Sequence, residues 1–410
     1  MLRIFDKFMV VAQTPVVLHY NQPMKYIKAF SIIILLFLFS CKNKESETGN
    51  KFVTEEIELS KEITHPEIES LINKGINEEH FIGVVLVAVN DKIIHAKGYG
   101  MAQDGIQNRI NTKFHVASIT KQFTAAAIMQ LLEQDKINLE ESINEFLPTK
   151  YRSDKWNNLT IHHLLTHTSG IEDYAVTRDY YEVEKGFCLG NTVEGMIKEA
   201  MTKELNFLSG TSFSYSNIGY TLLGEIIKYT TGEPFDSYMK KYVFKPMGMH
   251  DSFIHNTSTY TLSNDEAIGY RWDTIMNKHV TDDIVSLPVT EPDGNLVTTL
   301  SDFLKWTKIY TEQNETILKK VSIEKMITPY IEDNFSFMKK YNPHYGYGLN
   351  LTDKTISHPG YIVGFRSHFI VDTNQQIQVF VFNNNVSNDP RNISRGIYER
   401  VSENNSNKKE

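Results

Sequence analysis

Cysteine is nearly absent from these 410 residues: only Cys41 and Cys188 occur. With so few thiols the fold holds without a disulfide framework. Excess positive charge is missing too. The formal net charge is −8 at pH 7, which argues against a nucleic-acid partner, since binding phosphates calls for a basic face. No GxxxxGK[ST] or GxGxxG phosphate loop is present. No apolar run approaches the roughly 20 residues of a comfortable transmembrane helix, and no internal repeat is visible. What remains is globular in composition, 41% hydrophobic and 22% charged, and long enough for one large domain or two smaller ones.

The N-terminus has its own grammar. From Met24 the chain reads MKYIKAFSIIILLFLFSCKN, with two lysines, a short apolar run from Ala29 to Phe39, a small residue and then Cys41. A charged start followed by a short apolar region reads as an export signal. Leu38-Phe39-Ser40-Cys41 resembles a bacterial lipobox, in which the cysteine is lipidated and becomes the new N-terminus, although Phe39 is bulkier than usual there. Residues 1 to 23 lack signal-like order, so Met24 is the expected start, residues 1–40 the signal region and Cys41 the lipidation site. An uncleaved anchor helix is the competing reading. Loss of residues 1–40 would leave a net charge of about −11, since the segment carries Arg3, Lys7, Lys25, Lys28 and Asp6. Cys188 would then have no partner, as suits an exported, disulfide-free lipoprotein on the periplasmic or surface face of the envelope.

Residues 41–60 are polar and charged, the expected composition of a flexible tether. The domain is expected over 61–403 and a frayed, disordered tail at 404–410, within SENNSNKKE. PEIESLINKGI from Pro66 predicts a helix. IGVVLVAVN and KIIHAKGYG, joined at Asn90-Asp91, predict a hairpin. From about Ile143 to Met249 the pattern is mainly helical, with Gly232 a C-cap candidate after YTLLGEIIKYTT. TISHPG, FRSHFIVDT and QQIQVFVFNNN predict three successive strands, and NISRGIYERV a terminal helix. One antiparallel sheet drawn from both chain ends, flanked by helices and carrying an inserted all-helical subdomain, is the simplest α+β architecture.

Ser118 and Lys121, in FHVASITKQFTAAAIMQLLEQ, open the alanine-rich helix. A cation in a first turn opposes the macrodipole, which favours acids there. Positions i and i+3 share a helix face, so the ammonium reaches the hydroxyl. Serine is a weak nucleophile until a base takes its proton, and lysine can serve once burial and the positive helix end lower its proton affinity. Tyr215-Ser216-Asn217 adds a phenol able to carry a proton to a leaving group and an amide able to hold substrate and Lys121 together; capping of the following helix is the alternative. His358-Pro359-Gly360 falls between two predicted strands. Gly360 would let a substrate backbone approach, and the Tyr361 N–H would complete an oxyanion hole with that of Ser118; a plain strand-end turn is the alternative.

These three elements, in this order, resemble the penicillin-binding-protein and β-lactamase superfamily, specifically its class C-like serine hydrolases. LLTHTSGI, GYTLLGEII, PMGM, DGNLVTTLSDFLKW and YGYGLNL are similar to recurrent segments of that family, over residues 65 to 402 or so. The resemblance implies a β-lactamase/transpeptidase-like fold, Ser118 as acylated nucleophile, and Lys121 and Tyr215 as proton carriers, with the first base undecided. It implies Asn217, His358 and Gly360 as substrate-binding positions and the Tyr361 amide at the oxyanion. It implies no metal or organic cofactor. His358 departs from the lysine of the lactamase and carboxypeptidase branches, where the cation pairs with a substrate carboxylate. Histidine is mostly neutral at pH 7. The expectation is therefore a serine hydrolase for an ester or an amide with D-residues, with wall peptides among candidate substrates. The alternatives are a β-lactamase or D-Ala-D-Ala carboxypeptidase and, from another class, a non-catalytic lipoprotein that binds peptidoglycan.

Other features read blandly. His162, His163 and His167 lack the glutamate of a zinc helix, since Leu164 follows His163. Nothing near Cys188 suggests an activated thiol. Tyr345 and Tyr347 read as strand packing, and Glu291-Pro292-Asp293 as a solvated loop.

Overall fold

Along Gly83–Val89 (β1), Val84, Leu86 and Ala88 join one buried apolar cluster while Val85 and Val87 join another. That period-two division is the signature of a strand covered on both faces. A computed structural model describes residues 59, 61–174, 192–256, 262–282, 291–332 and 344–406, all within a single unit of the chain. The expectations for Met24, the signal region, Cys41, residues 41–58 of the tether and Cys188 lie outside the described residues. Among the described residues no helix is long and apolar enough to cross a membrane.

Strand β1 pairs with Lys92–Tyr99 (β2) through Asn90 and Asp91, both at positive φ as a tight hairpin turn requires. The remaining strands of the main sheet come late in the chain: Ile331–Glu332 (β3), His344–Tyr345 (β4), Asn350–Leu351 (β5), Ile356–Ile362 (β6), Phe365–Asp372 (β7) and Ile377–Asn383 (β8). Their order is β3-β4-β5-β6-β7-β8-β1-β2, and every pairing is antiparallel. The two chain ends therefore meet at the β8–β1 seam, with Val85 opposite Val381.

Helices Pro66–Glu79 (α1) and Pro390–Ser406 (α5) cover one face through Ile68, Ile72, Ile393, Ile397 and Val401. The other face packs on Lys121–Glu133 (α2) and Leu300–Thr311 (α4), where Phe303 meets Phe369, Phe380 and Phe382 with ring centroids 4.9–5.6 Å apart. Each such buried aromatic or aliphatic side chain contributes about 1.5–3 kcal/mol. Asn217–Thr231 (α3) crosses α2 and ends at Gly232 with φ 72°, the expected left-handed C-cap.

Two expectations need correction. The terminal helix runs on through Ser406 rather than fraying at 404, because Gln375 Nε2 donates to Ser402 at 2.7 Å and Asn404 Nδ2 donates to Glu67 at 3.1 Å; residues 407–410 lie outside the described residues. The insertion is helical between Ile143 and Met249 in its described residues, but short strands flank it. Phe114–His115, Leu296–Thr298 and Phe253–Ile254 form a three-stranded sheet, and Tyr270–Asp273 pairs with Lys278–Thr281. Strands of two to four residues are set by pairing partners, not by composition.

Candidate active site

After Phe114–His115 the chain leaves its small sheet through Ala117, whose φ of 51° lies in the left-handed region that a Cβ disfavours. The kink starts a 3-10 turn, Ala117–Thr120. Thr120 Oγ1 ties it down, donating to the Ala117 carbonyl at 2.6 Å and accepting from the Leu296 N–H at 3.0 Å. Ser118 stands on this turn, half-buried, at the wall of a cavity of about 650 Å³.

Lys121, the first residue of α2, is fully buried. Its Nζ donates to Asn217 Oδ1 at 2.8 Å and to the Asp293 carbonyl at 2.8 Å, and lies 3.2 Å from Ser118 Oγ. An Asp293 carboxylate oxygen is 4.0 Å away. A buried ammonium is tolerated only when acceptors and a counter-charge replace water, and here three acceptors match its three N–H bonds. Asn217 opens α3. Lys121 can only donate, so the amide oxygen faces it and Nδ2 faces Asp173 Oδ2 at 2.9 Å. The other Asp173 oxygen accepts the backbone N–H groups of Asn217 (2.8 Å) and Ile218 (3.3 Å), capping α3.

Asp173 and Asp293 thus flank the lysine. Burial raises the proton affinity of both, that of Asp293 to about 6, while the charge of Lys121 pulls each back. Tyr174 donates to Asp293 at 2.6 Å. The Tyr215 ring centre lies 5.0 Å from Lys121 Nζ. Its buried hydroxyl has no well-aligned hydrogen-bond partner among the described residues. Burial pushes this phenol up, against the pull of Lys121 and Ser118, so it keeps its proton at neutral pH.

Across the cavity, His358 on β6 is also buried, and no carboxylate among the described residues lies within ion-pair distance of it. Its Nδ1 meets the Pro359 carbonyl at 2.6 Å and so bears the proton; Nε2, 3.2 Å from the Tyr345 hydroxyl, is left as an acceptor. Tyr345 in turn lies 3.0 Å from His167 Nε2, and His167 Nδ1 accepts the Ser216 N–H at 3.1 Å. Backbone groups pin both ends, so every direction follows: Ser216 donates to His167, His167 to Tyr345, Tyr345 to His358, and His358 to Pro359. Burial, then the charge of Lys121, pushes His358 down to about 3. The same causes hold His167 well below the ordinary histidine range.

Ser118, Lys121, Tyr215 and Asn217 are therefore brought together, and His358, Gly360 and Tyr361 line the same cavity as Ser118. The expected reason for Gly360 needs correction. A Cβ there would lie 2.1 Å from the Val116 carbonyl and 2.2 Å from Ser367 Oγ, so the glycine lets β6 close onto the backbone leading to Ser118. The reading of Glu291-Pro292-Asp293 as a solvated loop is also overturned. Asp293 is 3% exposed, and the carbonyls of Pro292 and Asp293 accept from Thr124 and Lys121. Sequence reasoning missed Asp173 outright. For Asp293 a signal existed, since the residue opens the DGNLVTTLSDFLKW segment.

The three histidines each have a local role. His163 Nδ1 accepts the Thr160 N–H at 3.2 Å in a reciprocal cap of Ile161–Leu165, and His162 bonds the Tyr347 hydroxyl at 2.8 Å. Tyr347 packs on Tyr330, while Tyr345 reaches the cavity.

Residues 68–402 match the family model described as Beta-lactamase. PbpX of Bacillus subtilis (strain 168) is 28% identical over 319 residues, 76% of this chain and 73% of that protein. Protein flp of Staphylococcus aureus (strain MRSA252) is 26% identical over 330 residues, 78% of this chain but 62% of flp, so the chain spans less than two thirds of that relative. Among solved structures, the octameric penicillin-binding protein homologue from Pyrococcus abyssi is similar with a TM-score of 0.73 and 28% identity, over 82% of this chain and 77% of that one.

Proposed function

Since this chain belongs to the Beta-lactamase family of serine hydrolases, we propose that Ser118 is its acylated nucleophile and that it cleaves esters or amides of D-residues, wall-peptide fragments among them. The observation that carries this reading is the buried Lys121 Nζ held between Ser118 Oγ and Asn217 Oδ1 at 3.2 and 2.8 Å. In its neutral form Lys121 takes the Ser118 proton as Oγ bonds the substrate carbonyl carbon. The oxyanion develops against the N–H groups of Ser118 and Tyr361. Tyr215, which burial keeps protonated, passes a proton to the departing amine or alkoxide and is resupplied from Lys121. Water then attacks the ester at Ser118 by the reverse path.

The neutral His358 supports a preference away from β-lactams and D-Ala-D-Ala peptides. It offers no cation where the lysine branches place one to meet a carboxylate.

The test is intact-mass measurement after incubation with a fluorophosphonate or a fluorescent penicillin. Wild type should gain one fluorophosphonate adduct and Ser118→Ala none. No adduct with either probe would sink the hydrolase reading in favour of a binding protein. Fast nitrocefin turnover would promote the lactamase alternative.

A further inference from the structure

The cavity wall beyond Tyr361 carries two arginines, and they are not equivalent. Arg391 is committed: its Nε lies 2.9 Å from each carboxylate oxygen of Asp389, the residue just before α5. Arg366 stands on β7 directly opposite Tyr361 in the β6–β7 register. Its guanidinium lies over the Tyr361 ring, 4.9 Å from the centroid, and Tyr361 is 57% exposed. No carboxylate among the described residues lies within ion-pair distance of it, and its Nε is buried without a hydrogen-bond partner. Asp389 feels the charge of Arg366 but is already gripped by Arg391. Lys121 is enclosed by its own acceptors. Among the described residues lining the cavity, Arg366 is thus the cation left with hydrogen-bonding capacity to spare.

A desolvated donor with no acceptor is unfavourable by about 1–3 kcal/mol, and a guanidinium held over an aromatic ring keeps its planar fork of donors available for a carboxylate. The position also says which part of the substrate it meets. Tyr215, the proposed donor to the leaving group, packs beside His358 with ring centroids 6.2 Å apart. The leaving group departs at that end of β6, and Arg366 faces the acyl end.

We propose that Arg366 is a specificity residue that binds a carboxylate on the acyl portion of the substrate, taking up at the far end of β6 the anion-binding role that His358 does not fill. This rests on Ser118 being the nucleophile.

The experiment compares two p-nitrophenyl esters of equal length, the glutarate half-ester and the pentanoate, for wild type, Arg366→Gln and Arg366→Lys. A neutral fluorophosphonate is run in parallel as a count of active Ser118. Wild type should prefer the glutarate ester in kcat/KM, or in acyl adduct at Ser118 by intact mass if turnover is slow. Arg366→Gln should lose about 10- to 100-fold on that ester, mainly through KM, with less than threefold change on the pentanoate and on fluorophosphonate labelling. Arg366→Lys should recover part of the loss. No wild-type preference for the glutarate ester, or an equal loss on both esters with labelling intact, overturns the assignment. Absence of fluorophosphonate labelling in wild type would instead overturn the serine reading beneath it.

Discussion

On one side of Ser118, Lys121 is buried without exposed surface and keeps company with two carboxylates, an amide and a backbone carbonyl. On the other side, His358 is also buried, among Tyr345, His167 and Tyr215, and meets no carboxylate among the described residues. Desolvation acts on both. Where acidic partners offset it, an ionisable group fits the reacting machinery proposed above; where none does, the imidazole is pushed toward neutrality and bridges α3 and β6. The same degree of burial has opposite chemical consequences, decided by the neighbours. The third motif of this chain is accordingly read as scaffolding, and recognition of substrate charge as having moved to another wall.

Breaking the lysine wall should have the largest effect. Lys121→Ala strips the acceptors Asn217 Oδ1 and the Asp293 carbonyl of their donor and leaves Asp173 and Asp293 without a counter-charge. We expect acylation of Ser118 to slow on the order of 10³-fold or more and stability to fall by about 3 kcal/mol, read by stopped-flow labelling and urea melts. Retained labelling would move the base elsewhere. Breaking the histidine wall should separate the two quantities. Tyr345→Phe leaves both His167 Nε2–H and His358 Nε2 unpaired and should lower stability by about 2 kcal/mol, while fluorophosphonate labelling stays within about tenfold of wild type, a factor worth no more than about 1.4 kcal/mol. Equal losses in both variants would erase the distinction between machinery and strut.

Sequence legibility divides along similar lines. Strands β1, β7 and β8 were readable because each carries a run of apolar, β-branched or aromatic residues bounded by turn residues, and β2 and β6 because a turn joins each to such a run. Strands β3–β5 are two residues each and exist only through their partners. Ser118, Lys121, Tyr215, Asn217 and His358 stood out because their chemistry is carried by local spacing. Asp293 was visible but misread, since its burial comes from a partner 172 residues away. Asp173 gave no signal, because its role is to cap a helix that begins 44 residues later. The direction of the His167–Tyr345–His358 chain is set by the Ser216 amide and the Pro359 carbonyl, which no side-chain pattern encodes. Arg366 is meaningful through its place opposite Tyr361 and its lack of an ion-pair partner among the described residues, which its neighbours in the sequence do not encode.

The contrast between the two walls rests most directly on His358 being uncharged. Its folded proton affinity, near 3, is far below the value of about 6.5 in an unfolded chain. The unfolded state therefore binds the extra proton below about pH 6.5. Stability from this group is complete above that pH and is lost as pH falls toward 3. Titration of the imidazole nitrogens of 15N-histidine-labelled protein, with His358 assigned by a His358→Gln variant, measures the charge itself. The expected result is a single neutral tautomer, protonated at Nδ1, unchanged from pH 8 to pH 5. A His358 signal that titrates near pH 6.5 would restore a cation at the third motif and contradict the account.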